Sequence, residues 1–75
     1  MKKGSFKLKG ILMSLSSRQR DVLTMIAHGL SDKEIAARLN ISIKTVEVHV
    51  SKVLYKLCAR NRANAVFIYF VKKQK

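Results

Sequence analysis

The stretch SIKTVEVHVSKVLYKL, Ser42 to Leu57, admits two readings. Between Thr45 and Ser51 the apolar Val46, Val48 and Val50 alternate with Glu47 and His49. That is the pattern of a half-buried β-strand, written in a strand-favouring residue. On a helical wheel at ~100° per residue, Ile43, Val46, Val50, Val53, Leu54 and Leu57 gather instead within an arc of roughly 100°. The strand reading explains only the valines from 46 to 50 and fails from Val53 onward. The segment also outruns an ordinary strand of ~4–8 residues, and Ser42 is a ready helix cap. The segment is therefore predicted to be a helix with its apolar stripe in a core.

On that wheel Val48 lies about 170° from the centre of the stripe. Lys44, Ser51, Lys52 and Tyr55 stand beside it, with Thr45 and Glu47 on the flanks. Valine methyls can pack on a thymine methyl in the major groove of DNA, while Lys, Ser and Thr reach phosphates or base edges. The competing explanation is a single exposed valine of the kind any surface carries.

The neighbouring segments bear on that choice. In SSRQ, Ser16 can cap a helix and Gln19 can reach back to it, the reciprocal pattern of a capping box. Val22, Leu23, Ile26 and Ala27 continue that helix as an apolar stripe, and Gly29 ends it in the left-handed conformation. A second box, Ser31 with Glu34, opens a short helix whose apolar face is Ile35, Ala36 and Leu39. Asn40 stands where a left-handed residue would end it, with Ile41 as an anchor in the turn. A short capped helix, a tight turn and a longer helix with a basic outer face form a helix-turn-helix. Beyond the polar CARNRAN, Asn61 can cap a last helix running through Ala65, Val66, Tyr69 and Phe70, with KKQK placing cations at its C-terminus.

Composition agrees with a nucleic-acid partner. Sixteen Lys and Arg face four acids in 75 residues, a net charge of +12. A surplus of that size favours a polyanion, nucleic acid or an anionic membrane, over a small basic structural protein. No apolar run approaches the ~18 residues of a membrane span. The single cysteine allows no disulfide framework and fits a reducing compartment, so a cytoplasmic protein is expected. Residues 1–14, with Lys2, Lys3, Lys7 and Lys9, are predicted to be a flexible basic arm, and residues 15–75 the folded domain.

LSSRQRDVL, MIAHGLSDKEIAARLNIS, KTVEVHVSKVLYKL and RNRANAV together resemble the LuxR-type (GerE/NarL-like) helix-turn-helix of bacterial transcription regulators. The match covers Leu15 to Val66. The resemblance implies a four-helix domain whose third helix enters the major groove and whose fourth forms a two-fold dimer contact. Glu47, Val48, Ser51 and Lys52 occupy places that commonly face base edges or phosphates in the family. The family often has Lys where this chain has Glu47; glutamate cannot hold a phosphate but can accept from a cytosine amino group. Gln19 replaces the usual Glu and can still cap. Cys58 stands where glycine is common, so a left-handed turn there would cost ~1–2 kcal/mol, or the turn is built differently. A small half-buried hydrophobe is the expected role of Cys58, ahead of a redox switch. Family regulators usually carry a further N-terminal domain, so the chain is expected to be a stand-alone small regulator or an excised output domain, and Met1 favours the former.

Ala65 to Val71 is apolar or aromatic throughout. Ala65, Val66 and Tyr69 can close the core, which leaves Phe67, Phe70 and Val71 for another cover. A symmetric dimer is the first choice; the alternatives are a partner domain and, behind it, a membrane surface. His28 and His49 are isolated, no acids are paired, and neither an enzyme nor a cofactor or metal site is expected. The expectation is an all-α four-helix helix-turn-helix domain, a dimeric transcription regulator of double-stranded DNA. Its DNA-contacting residues are Lys44, Thr45, Glu47, Val48, Ser51 and Lys52. Candidate further partners are a larger regulator and RNA polymerase, with no membrane partner. The rivals are an interaction protein that pairs with and blocks a larger regulator, and a non-specific basic nucleic-acid-binding protein.

Overall fold

The computed structural model describes residues 14–73. The chain forms four helices, α1 (Ser17–Ala27), α2 (Asp32–Leu39), α3 (Ile43–Leu57) and α4 (Arg62–Lys73), with no strand among the described residues. The fold is all-α, and the alternating valines lie in the middle of α3. The basic arm, save Ser14, lies outside the described residues, as do Gln74 and Lys75.

One local grammar repeats along the chain. Each of the first three helices ends on a left-handed residue followed by an apolar anchor. Gly29 (φ 88°) precedes Leu30, Asn40 (φ 58°) precedes Ile41, and Cys58 (φ 58°) precedes Ala59. In each case the anchor's N–H returns to a carbonyl five residues back: Leu30 to Met25 at 3.1 Å, Ile41 to Ala36 at 3.0 Å, Ala59 to Leu54 at 2.9 Å. These are Schellman closures, which satisfy the orphan carbonyls of a helix end and bury the residue after the turn. The next helix is then capped within a residue or two. Ser31 Oγ accepts the Glu34 N–H, Ser42 Oγ the Thr45 N–H and Asn61 Oδ1 the Asn64 N–H. At Ser31 the Glu34 carboxylate accepts the Ser31 N–H in return, at 2.8 Å. The backbone and hydroxyl bonds from Ser31, with Arg38 nearby, hold the Glu34 carboxyl below its ordinary range.

Cys58 therefore takes the left-handed turn, and its side chain is exposed, not half-buried as expected. The anchoring role falls to Ala59, which packs on the core. An L-residue pays for that conformation where glycine does not. Cys58→Gly should raise the unfolding free energy by about 1 kcal/mol, read as a higher urea midpoint; a lower midpoint would mean that the turn carries no strain.

Two small cores lie along the inner side of α3. Val22 and Ile26 of α1, Ile35 and Ala36 of α2 and Val46 of α3 form one, with Leu39, Ile41 and Val50 packed against it. Leu15, Leu23 of α1, Val53 and Leu57 of α3 and Ala65 of α4 form the other, with Leu54, Ile68 and Tyr69 against it. The helices α1 and α3 contribute to both, and from Val46 to Leu57 the two cores set the rotation of α3 about its own axis. The predicted stripe needs one correction. Ile43 has the right angle but is 45 % exposed. It occupies the first helical position, one turn beyond Val46, the first α3 residue in either core.

Polar contacts of Lys56 and Arg62 tie these layers together. Gln19, 8 % exposed, closes the α1 capping box and also accepts from Lys56 Nζ at 3.0 Å, linking α1 to α3. Lys56 Nζ donates as well to the Ser14 carbonyl at 3.1 Å. Arg62 at the start of α4 meets Asp32 at the start of α2 at 2.7 Å. Both partners are partly open to solvent, so the pair is worth ~0–1 kcal/mol and serves mainly to align α4 with the helix-turn-helix.

Candidate nucleic-acid interface

With its inner face buried, α3 presents a single outer face. Lys44, Thr45, Glu47, Val48, Ser51 and Lys52 are all exposed, and Val48 is 47 % exposed. All six residues singled out from the sequence thus stand on one helix outside the core. Ser42 and Thr45 share a hydroxyl–hydroxyl bond of 2.9 Å, which orients the Thr45 side chain at the N-terminal end of the face. No acid lies in the first turn of α3, so the positive end of its dipole is not neutralised, and Lys44 adds to it. In α2, by contrast, both Asp32 and Glu34 lie in the first turn.

Tyr55 was not singled out from the sequence as a contact, yet among the described residues it is the most exposed large hydrophobic side chain, at 85 %. It stands seven positions beyond Val48, two helical turns along the same side. With Ser51, Lys52, Lys56 and Gln19 it lines a shallow concavity at the far end of the face. The wheel already placed it near Val48; its degree of exposure depends on the tertiary packing. Phe67, Phe70 and Val71 occupy a separate surface on α4, at 65 %, 46 % and 42 % exposure, opposite the buried Ala65.

A short capped helix, a three-residue turn and a longer helix displaying a basic face with one central apolar residue define a helix-turn-helix DNA-binding domain. The family of bacterial regulatory proteins of the luxR type (GerE) matches residues 13–69. The chain belongs to that family. Among its relatives, the uncharacterized transcriptional regulatory protein YhcZ of Bacillus subtilis is 57% identical over 51 residues, 68% of this chain and 24% of that protein. The nitrate/nitrite response regulator protein NarP of Escherichia coli is 47% identical over 55 residues, 73% of this chain and 26% of its own length. The response regulator protein VraR of Staphylococcus aureus is 45% identical over 56 residues, 75% and 27% respectively. The chain thus spans about a quarter of the length of these curated relatives. No helix among the described residues is long and apolar enough to cross a membrane.

Proposed function

We propose that this chain regulates transcription by binding a specific duplex through the outer face of α3, as a dimer held by α4 on an inverted-repeat site. The observation that carries the proposal is Val48, exposed on a helix whose opposite side packs into two cores from Val46 to Leu57. A valine there gains nothing from the fold. Ringed by Lys44, Ser51 and Lys52, it suits the groove floor, with its methyls against a thymine methyl and the cations at phosphates. The α3 N-terminus and the Thr45 hydroxyl suit a phosphate at the groove edge. The Tyr55 hydroxyl suits a phosphate further along the same strand.

The exposed Phe67, Phe70 and Val71 support pairing, because neither core covers them. The same face also fits a larger regulator of the family that presents a matching helix, so homodimer and heterodimer forecasts differ only in the partner.

Selection of bound duplexes from a random pool, followed by competition of the enriched duplex against random DNA, tests the proposal. The enriched duplex should win by at least about 10³-fold at physiological salt. Equal competition would reduce the chain to a non-specific basic binder. Salt dependence alone does not separate the two, since every basic protein shows it.

A further inference from the structure

The DNA-facing side of α3 contains one feature that general attraction to a polyanion does not explain. Glu47 is the only acid on α3, and it is exposed beside Val48. The chain's other acids lie on other helices: Asp32 is paired with Arg62, Glu34 caps α2 and Asp21 sits on the exposed side of α1. Glu47 has neither an ion pair nor a hydrogen bond among the described residues, although Lys44 stands one turn before it. A carboxylate carried into a groove walled by phosphates is repelled by every one of them. Its approach is favourable only if the groove floor supplies a donor.

The major-groove edges of the four bases offer two such donors, the N4 amino group of cytosine and the N6 amino group of adenine. They are not equivalent to a carboxylate. Adenine sets its N7 acceptor beside N6, so the second carboxylate oxygen would face a lone pair. Cytosine has no acceptor on its own major-groove edge beside N4. The next residue, Val48, is rotated by ~100° and advanced by ~1.5 Å along the axis, so it faces an adjoining base pair.

We infer, resting on the proposed DNA-binding role of α3, that Glu47 is its specificity-determining residue. It selects a cytosine in each half-site, next to a pair whose thymine methyl lies under Val48. The carboxylate contributes discrimination at the expense of general affinity. It lowers attraction to any duplex and recovers the loss only where the amino group is present.

That sign makes the inference testable with Glu47→Gln and Glu47→Lys, both exposed changes that remove no contact from the fold. Wild type and both variants are put through selection from the same random pool, with helical circular dichroism as the folding check. Affinities for random duplex are measured in parallel across a salt series. Wild type should show cytosine at one position per half-site, with other bases there weakening binding by about 5- to 150-fold. Glutamine, which donates and accepts, should move that position to adenine; lysine should move it to guanine. Both variants should bind random DNA more tightly than wild type, and the lysine variant should steepen the salt dependence by about one further phosphate contact. Identical motifs from all three proteins would overturn the inference while leaving specific DNA binding by α3 in place. If wild type enriches no motif at all, the DNA-reading role itself fails, and the inference fails with it.

Discussion

Val48→Asp is expected to abolish sequence-specific DNA binding while the helices stay folded. The asymmetry follows from where the side chain sits. Inside the protein it contributes to neither core, and aspartate at an exposed helical position costs only ~0.5 kcal/mol in propensity. Against DNA the change removes an apolar contact and places a carboxylate, with no donor arranged for it, at the centre of the face. A charge left desolvated and unpaired costs about 3–5 kcal/mol, so the specific complex should weaken by roughly a hundredfold or more. The loss on random duplex should be much smaller, because loosely held complexes leave the groove floor hydrated. Titration of the selected duplex and of random DNA, with circular dichroism on the same samples, checks both parts. Unchanged affinity in a folded variant would remove α3 from the interface.

The different fate of neighbouring residues shows which features the sequence made legible. Caps and turns are local events. Ser16, Ser31, Ser42 and Asn61 could be recognised because a hydroxyl or amide meets a backbone N–H three residues away, and the structure places them so. Asn40 and Gly29 were legible for the same reason. The outward position of Val48 followed from helix periodicity alone. Ile43 shows the limit of that argument, since a wheel reports angle and not depth, and Ile43 lies a turn beyond the last packed layer. Cys58 shows another limit: an L-residue in a left-handed turn is held by the anchor that follows it, and Ala59 has no conspicuous signal in a polar stretch. The Lys56–Gln19 and Arg62–Asp32 contacts join residues 30 or more positions apart and leave no local pattern. Lys56–Gln19 adds a polar tie to the two cores that already join α3 to α1, and nothing in the local sequence signals it.

Phe70→Lys is expected to give a folded monomer that loses most of its affinity for a full site and little for an isolated half-site. On α4, Ala65 is fully buried while Phe67, Phe70 and Val71 face away from the core, so one helix has an inner and an outer apolar side. Pairing two copies through the outer side makes an isologous contact, because the same patch serves both. The two-fold axis then relates the two α3 helices and fits half-sites about one helical turn, ~34 Å, apart. Linking two half-site contacts in this way multiplies affinity by about 10²–10⁴ without any new contact to DNA, and that factor is what the variant should lose. A lysine at position 70 brings two ammonium groups towards each other across the axis and removes the aromatic surface. Phe70 also meets Tyr69 edge-on at 5.3 Å, an aromatic pair worth about 0.5–1.5 kcal/mol, so its replacement carries a small cost within the monomer. Phe67→Lys is the cleaner companion, because Phe67 is 65 % exposed and makes no such ring contact among the described residues. Sedimentation should show dimer for wild type and monomer for both variants, and full-site and half-site titrations should diverge for wild type alone. A wild type that sediments as a monomer, both free and on DNA, would rule out the homodimer. The outer side of α4 would then belong to another chain, and tight pairing with a larger luxR-type regulator would be the behaviour to measure.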